Sequence, residues 1–196
     1  MSRFTRSIQV LTASLAMAGA AMAATAEPQP GNYKIDPAHS MAYFEVGHAG
    51  GISRFMGRFR DIAGDLVVGT PEKSKVKVTI KTDSVDTNHE GLDKHLKSPD
   101  FFNAVQFPVM TFESTAVKLA GGEGTLAGNL TMLGVTKPVT FKLKLIGAGP
   151  GPRGDTRVGY TARSTIKRSD FGMGYGIPKA ATDEVDLNIN IEAIKQ

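Results

Sequence analysis

The chain has 196 residues, 23 of them basic and 19 acidic, with no cysteine and no tryptophan. The missing cysteines exclude disulfide scaffolding, thiol nucleophiles and thiolate metal sites. The formal charge of +4 falls to +2 without Arg3 and Arg6 (21 basic minus 19 acidic), too near neutrality for a nucleic-acid-binding surface.

The N-terminus carries Arg3 and Arg6, then an apolar run from Ile8 through Ala24, then the small–x–small triplet Ala21-Met22-Ala23. This is the pattern of a secretory signal, and residues 1–23 are expected to be cleaved, with a cut after Ala26 as the alternative. A periplasmic destination follows. No other long apolar run occurs, so stable membrane insertion is not expected. Residues 24–31 (ATAEPQPG) read as a flexible lead-in, and 32–196 as one domain.

From Tyr33 onward the dominant period is two. Val76, Val78 and Ile80 alternate with Lys75, Lys77, Thr79 and Lys81. Val139, Phe141, Leu143 and Leu145 alternate with Thr140, Lys142 and Lys144, and Val185, Leu187, Ile189 and Ile191 do the same near the C-terminus. Each is a half-buried strand, because a helix would scatter these side chains around its circumference. Further strands are predicted over 40–46, 55–60, 65–68, 109–119, 124–133 and 157–167, separated by glycine and proline turns. The stretch around 89–97 breaks the pattern: Leu92 and Leu96 lie four apart, and Pro99 and the pair Phe101-Phe102 follow. It reads as a short helix and a turn that drives the Phe pair into the core. The fold class is therefore all-β, a sandwich or a closed antiparallel barrel with one short helix.

Alternation turns Phe44, Val46, Val78, Ile80, Phe112, Phe141, Leu143, Tyr160, Leu187 and Ile189 inward, with Ala42, Ala116, Ala127 and Ala162 leaving room beside them. Such residues are core in any barrel; they line a site only where the interior is open. No Gly-x-Ser-x-Gly elbow and no His-x-x-x-His pair occurs, so neither hydrolysis nor a metal centre is expected.

Several segments stand in a telling order. They are Tyr33-x-Ile35-Asp36-Pro37-x-His39-Ser40, Phe44-x-Val46-x-His48, Ser84-Val85-Asp86-Thr87 and Asp93-x-His95-Leu96-x-Ser98-x-Asp100-Phe101-Phe102. Gly128-x-Leu130-Thr131-x-x-Gly134-Val135-Thr136-x-Pro138-Val139 and Asp170-Phe171-Gly172 complete the series. In this order, from about Tyr33 to Ile194, the chain closely resembles the YceI-like family of periplasmic, polyisoprenoid-binding proteins. The resemblance implies an extended eight-stranded lipocalin-like barrel with a long apolar cavity, and in some members a link to stress responses. It also implies a carrier whose ligand is a polyisoprenoid, an isoprenoid quinone or a fatty-acid derivative; with the catalytic motifs missing, no enzyme activity and no cofactor are expected. The alternatives are an enzyme acting on such a lipid in the cavity, or an accessory partner of a quinone-linked membrane enzyme.

The ligand-binding set expected on these grounds is Phe44, Val46, His48, Phe55, Val78, Ile80, His95, Phe102, Phe112, Phe141, Tyr160, Arg168, Phe171 and Tyr175. His39, His48, Arg54, Asp93, His95, Arg168 and Asp170 are candidates for the head-group end, where a phosphate would favour Arg and His donors. Arg168–Asp170 reads alternatively as a structural ion pair. The glycine-rich run 171–176 is expected to gate the mouth. Burying about twenty methylene-sized units at about 0.8 kcal/mol each gives about 16 kcal/mol gross, of which association and ordering remove about half or more. Exposed edge strands would permit a homodimer.

Overall fold

The structure, a computed structural model, describes residues 27–196; the expected signal peptide, 1–23, lies outside the described residues. Eleven strands form one sheet, β1 Gly31–Ile35, β2 Met41–His48, β3 Ser53–Phe59, β4 Ile62–Val68, β5 Lys75–Lys81, β6 Val85–Asp86, β7 Val109–Ala120, β8 Glu123–Met132, β9 Val135–Pro150, β10 Thr156–Lys167 and β11 Ala181–Lys195. Helix α1, Glu90–Leu96, follows β6. No described helix is long and apolar enough to cross a membrane.

All pairings are antiparallel, and the ring β1-β4-β5-β7-β8-β9-β10-β11 closes where Tyr33 pairs with Lys195. The remaining short strands extend it. Along one edge β11 pairs first with β2 and then with β1, β3 pairs with β2 while β4 pairs with β1, and β6 continues the line of β5. The eleven segments are thus eight long strands, three of them kinked at the waist, in an up-and-down barrel. Closure pairs both sides of most strands, leaving as open edges the two-residue β6 and the 115–120 stretch of β7.

The kinks have local causes. At the first, Asp36-Pro37 cannot continue the ladder, because Pro37 has no N–H to donate. The Asp36 carboxylate accepts from the Ala38 N–H at 3.0 Å, and the Ser40 hydroxyl bridges the Glu192 carbonyl at 3.1 Å and N–H at 3.0 Å in place of a strand partner. At the third kink the buried Thr82 donates its N–H to the Pro108 carbonyl and its hydroxyl to that of Phe107. Strands β1 and β6 have no counterpart among the predicted ones; each is too short for alternation to register.

The helix forms where expected. His89 caps it, accepting the Leu92 N–H at 3.2 Å, while Asp93 accepts both the N–H and the hydroxyl of Thr87, at 2.8 and 2.6 Å. Its buried Leu96 and the following Phe102 enter the barrel end. There Phe102 meets Phe59 and Phe44 with ring centroids 5.2 and 6.3 Å apart.

Candidate functional site

The barrel encloses a cavity of about 340 Å³. That is at the lower end of the range for small-molecule sites, roughly 300–1,000 Å³. All ten residues that alternation turns inward line it, as do Ala42 and Ala162. Ala116 and Ala127 do not. A bulge between Ser114 and Ala116 shifts the phase of β7, so that Val117 and Leu119 face in instead, and Ala127 alternates outward from the lining residue Leu126.

The two ends of the cavity differ. One is a floor, built from Leu96, Phe101, Phe102, Met173 and Arg168. At the other end Val68, Pro71, Val76, Val117 and Leu119 form a rim, joined by Glu27 and Pro28. A mouth exists there because the ladder between β5 and β7 ends at Lys77–Glu113, leaving 115–120 of β7 paired to β8 alone. The Ser114 hydroxyl, accepting the Val76 N–H at 2.8 Å, closes the last rung.

Arg168 holds the floor shut. Its guanidinium, buried to 3% exposure, donates to four carbonyls, those of Thr182, Met173, Tyr175 and Ala181, at 2.9–3.1 Å. Burial pulls its pKa down, against the opposing pull of the Asp183 carboxylate. The expected Arg168–Asp170 ion pair is not formed; carbonyls take every bond Arg168 makes. The run 171–176 is for the same reason not a gate at the mouth. It lies at the opposite end, with its own Phe171 and Met173 buried.

Other expected site residues stand off the cavity wall. His48 would face inward by alternation, but it lies past the floor, exposed beside the β2–β3 turn, and Phe55, paired with Val46, packs against the core at the same level. His95 turns away on α1 to bond Asp100 at 3.0 Å and to meet Phe101 and Tyr175 edge-on, while Tyr175 itself is half exposed. Phe171 is core. Among the polar candidates His39 bonds Asp36, Arg54 pairs with Glu45 and Asp186, and Asp93 caps Thr87. None of the four histidines lines the cavity.

Sequence reasoning missed Ile35, Leu66, Met110, Leu126 and Met132, all in the wall. Strand alternation extended along β4, β7 and β8 would have found the last four. Among the described residues one cluster outside the wall, Asp36, His39 and Glu192, converges closely enough for a cation. Arg157 already occupies it, donating to Asp36 at 2.8 Å, to Glu192 and to Asp155, and these carboxylates raise its pKa. The cluster braces the first kink against β11.

Chemically the interior is a solvent for hydrocarbon. Tyr160 lines it at the upper wall, and burial pushes the pKa of its hydroxyl up to about 12.

Comparison with known proteins agrees with this architecture. Residues 33–193 match the YceI-like domain. The UPF0312 protein of Pseudomonas aeruginosa (strain LESB58) is 44% identical over 200 residues, covering 100% of both chains. Protein YceI of Escherichia coli O157:H7 is 44% identical over 183 residues, 91% of each. A solved polyisoprenoid binding domain from Saccharophagus degradans superposes with a TM-score of 0.67 at 14% identity, over 86% of this chain and 100% of that one, which speaks to fold alone. The chain belongs to the YceI-like family.

Proposed function

We propose that the protein is a periplasmic carrier that holds the chain of a long apolar amphiphile, a polyisoprenoid, isoprenoid quinone or fatty-acid derivative, inside its barrel. The observation that carries this reading is the cavity itself: it opens through a mouth at one end and is walled by aliphatic and phenyl groups. The name of the Saccharophagus domain points the same way. The signal-like N-terminus supports export.

Magnitudes set the length of chain the cavity takes. At about 30 Å³ per water-sized unit, 340 Å³ holds about eleven units. At about 0.8 kcal/mol per methylene they contribute about 9 kcal/mol gross. A longer chain extends through the mouth along Val117 and Leu119. Native mass spectrometry of the protein released from the periplasm without detergent tests the reading. A co-purifying long-chain species is expected, and apo protein under every growth condition would refute it.

A further inference from the structure

We infer that the Tyr160 hydroxyl is the head-group donor of the cavity, so that the preferred ligand sits tail inward and carries a neutral hydrogen-bond acceptor at its outer end. This rests on the carrier reading and narrows it to a class of ligand.

Tyr160 lies on β10 between the buried Val158 and Ala162, and its neighbours across the ladder are Leu145 and Ile191. Its aim is set by a bulge. Gly159 pairs with Gly147 but Tyr160 pairs with Leu145, so Ile146 is an extra residue pushed outward on β9. Bulges of this kind re-aim a side chain at a site.

Among the other lining residues with polar side chains, Tyr43 and Thr111 alternate with the inward Phe44 and Phe112 and so point outward. Arg168 is spent on four carbonyls, and Ser74 donates to the backbone of its own turn. Nearby Tyr33, outside the lining, donates to the Gln29 carbonyl at 2.7 Å. Tyr160 makes no hydrogen bond among the described residues; it lines the cavity, and its hydroxyl is not fully buried. A phenol left so in apolar surroundings costs free energy that an acceptor on the ligand recovers.

Charge decides the kind of acceptor. Glu27 lines the same end of the cavity and, with Tyr33, acts electrostatically on the Tyr160 hydroxyl. Among the described residues Arg168, at the far end, is the one cation in the wall, and Lys118, between Val117 and Leu119, faces outward. A phosphate head beside Tyr160 meets a carboxylate and no cation. An amide, quinone or ester carbonyl meets a donor.

The test is displacement of the neutral dye N-phenyl-1-naphthylamine from the purified protein by dodecanamide, dodecyl chloride and dodecyl phosphate. Tyr160→Phe is expected to weaken dodecanamide by about 2- to 12-fold and to leave dodecyl chloride unchanged, which also reports an intact cavity. Dodecyl phosphate is expected to bind more weakly than dodecanamide and to gain more from Glu27→Gln than dodecanamide does. Equal losses for amide and chloride in Tyr160→Phe, or a wild-type preference for the phosphate, would overturn the assignment while leaving the carrier reading intact. If no compound binds the wild-type protein, the carrier reading falls and takes this one with it.

Discussion

The Phe44 ring lies over the α-carbon of Gly57 on the facing strand, where a Cβ would overlap its Cζ. The same arrangement recurs across the barrel, where the Phe112 ring covers Gly128. Each glycine gives a phenyl group a place against the wall, leaving the middle of the barrel open. Gly57→Ala is therefore expected to destabilise the protein by about 1–3 kcal/mol, as overpacking does. Displaced into the cavity, Phe44 would also weaken binding. Urea unfolding and dye titration on the same variant measure both effects.

Filling the cavity directly separates binding from folding. Ala162 is a small residue in the wall beside Leu143. Ala162→Phe is expected to keep the β-sheet circular dichroism spectrum, to cost about 1–3 kcal/mol, and to abolish retention of a lipid. A variant that retains lipid as the wild type does would place the ligand elsewhere.

The floor depends on one guanidinium. Arg168→Met strips donors from four carbonyls at once. The expected loss is about 3 kcal/mol or more, because buried acceptors are left unsatisfied. Arg168→Lys keeps the charge but not the planar fork, and is expected to recover only part of it. Hydrogen exchange should show the loss concentrated in residues 169–182, with the β7–β8 hairpin protected as before.

Acid sensitivity should trace in part to Asp86. Its carboxylate accepts from Arg58 at 2.7 Å, from the Asn88 N–H at 3.1 Å and from Arg60 at 2.8 Å, which hold its pKa at about 2 against an ordinary 3.8. The folded state thus binds this proton less readily than the unfolded chain. The stability it supplies is complete above about pH 4 and is lost as pH falls through 2. Asp86→Asn is expected to lower stability at pH 7 and to flatten the acid limb between those values.

The long strands were legible because one face is solvated and the other apolar, which writes a period of two into β5, β9 and β11. What alternation cannot carry is a change of phase. The bulge at Ser114 sends Ala116 out and Val117 in, and the bulge at Ile146 aims Tyr160; each shows in the sequence only as a break in alternation, at Phe112 to Val117 and at Leu145-Ile146, that does not say which side chain it re-aims. Nor does alternation say where the cavity stops. His48 and Phe55 fall on the inward phase of their strands but do not line the cavity, although Phe55 pairs with the lining residue Val46. The role of Arg168 was hidden for another reason. Its partners are backbone carbonyls, which every residue has, so no side chain in the sequence announces them.

The central claim, that the barrel holds a hydrocarbon chain, is tested most directly by a crystal structure of the protein purified from the periplasm without delipidation. The expected result is continuous tubular density running from the Phe102 floor past Phe112 and Phe141 to the mouth at Leu119. A cavity that holds only discrete waters, or that has collapsed until Phe44 and Phe141 meet, would contradict it.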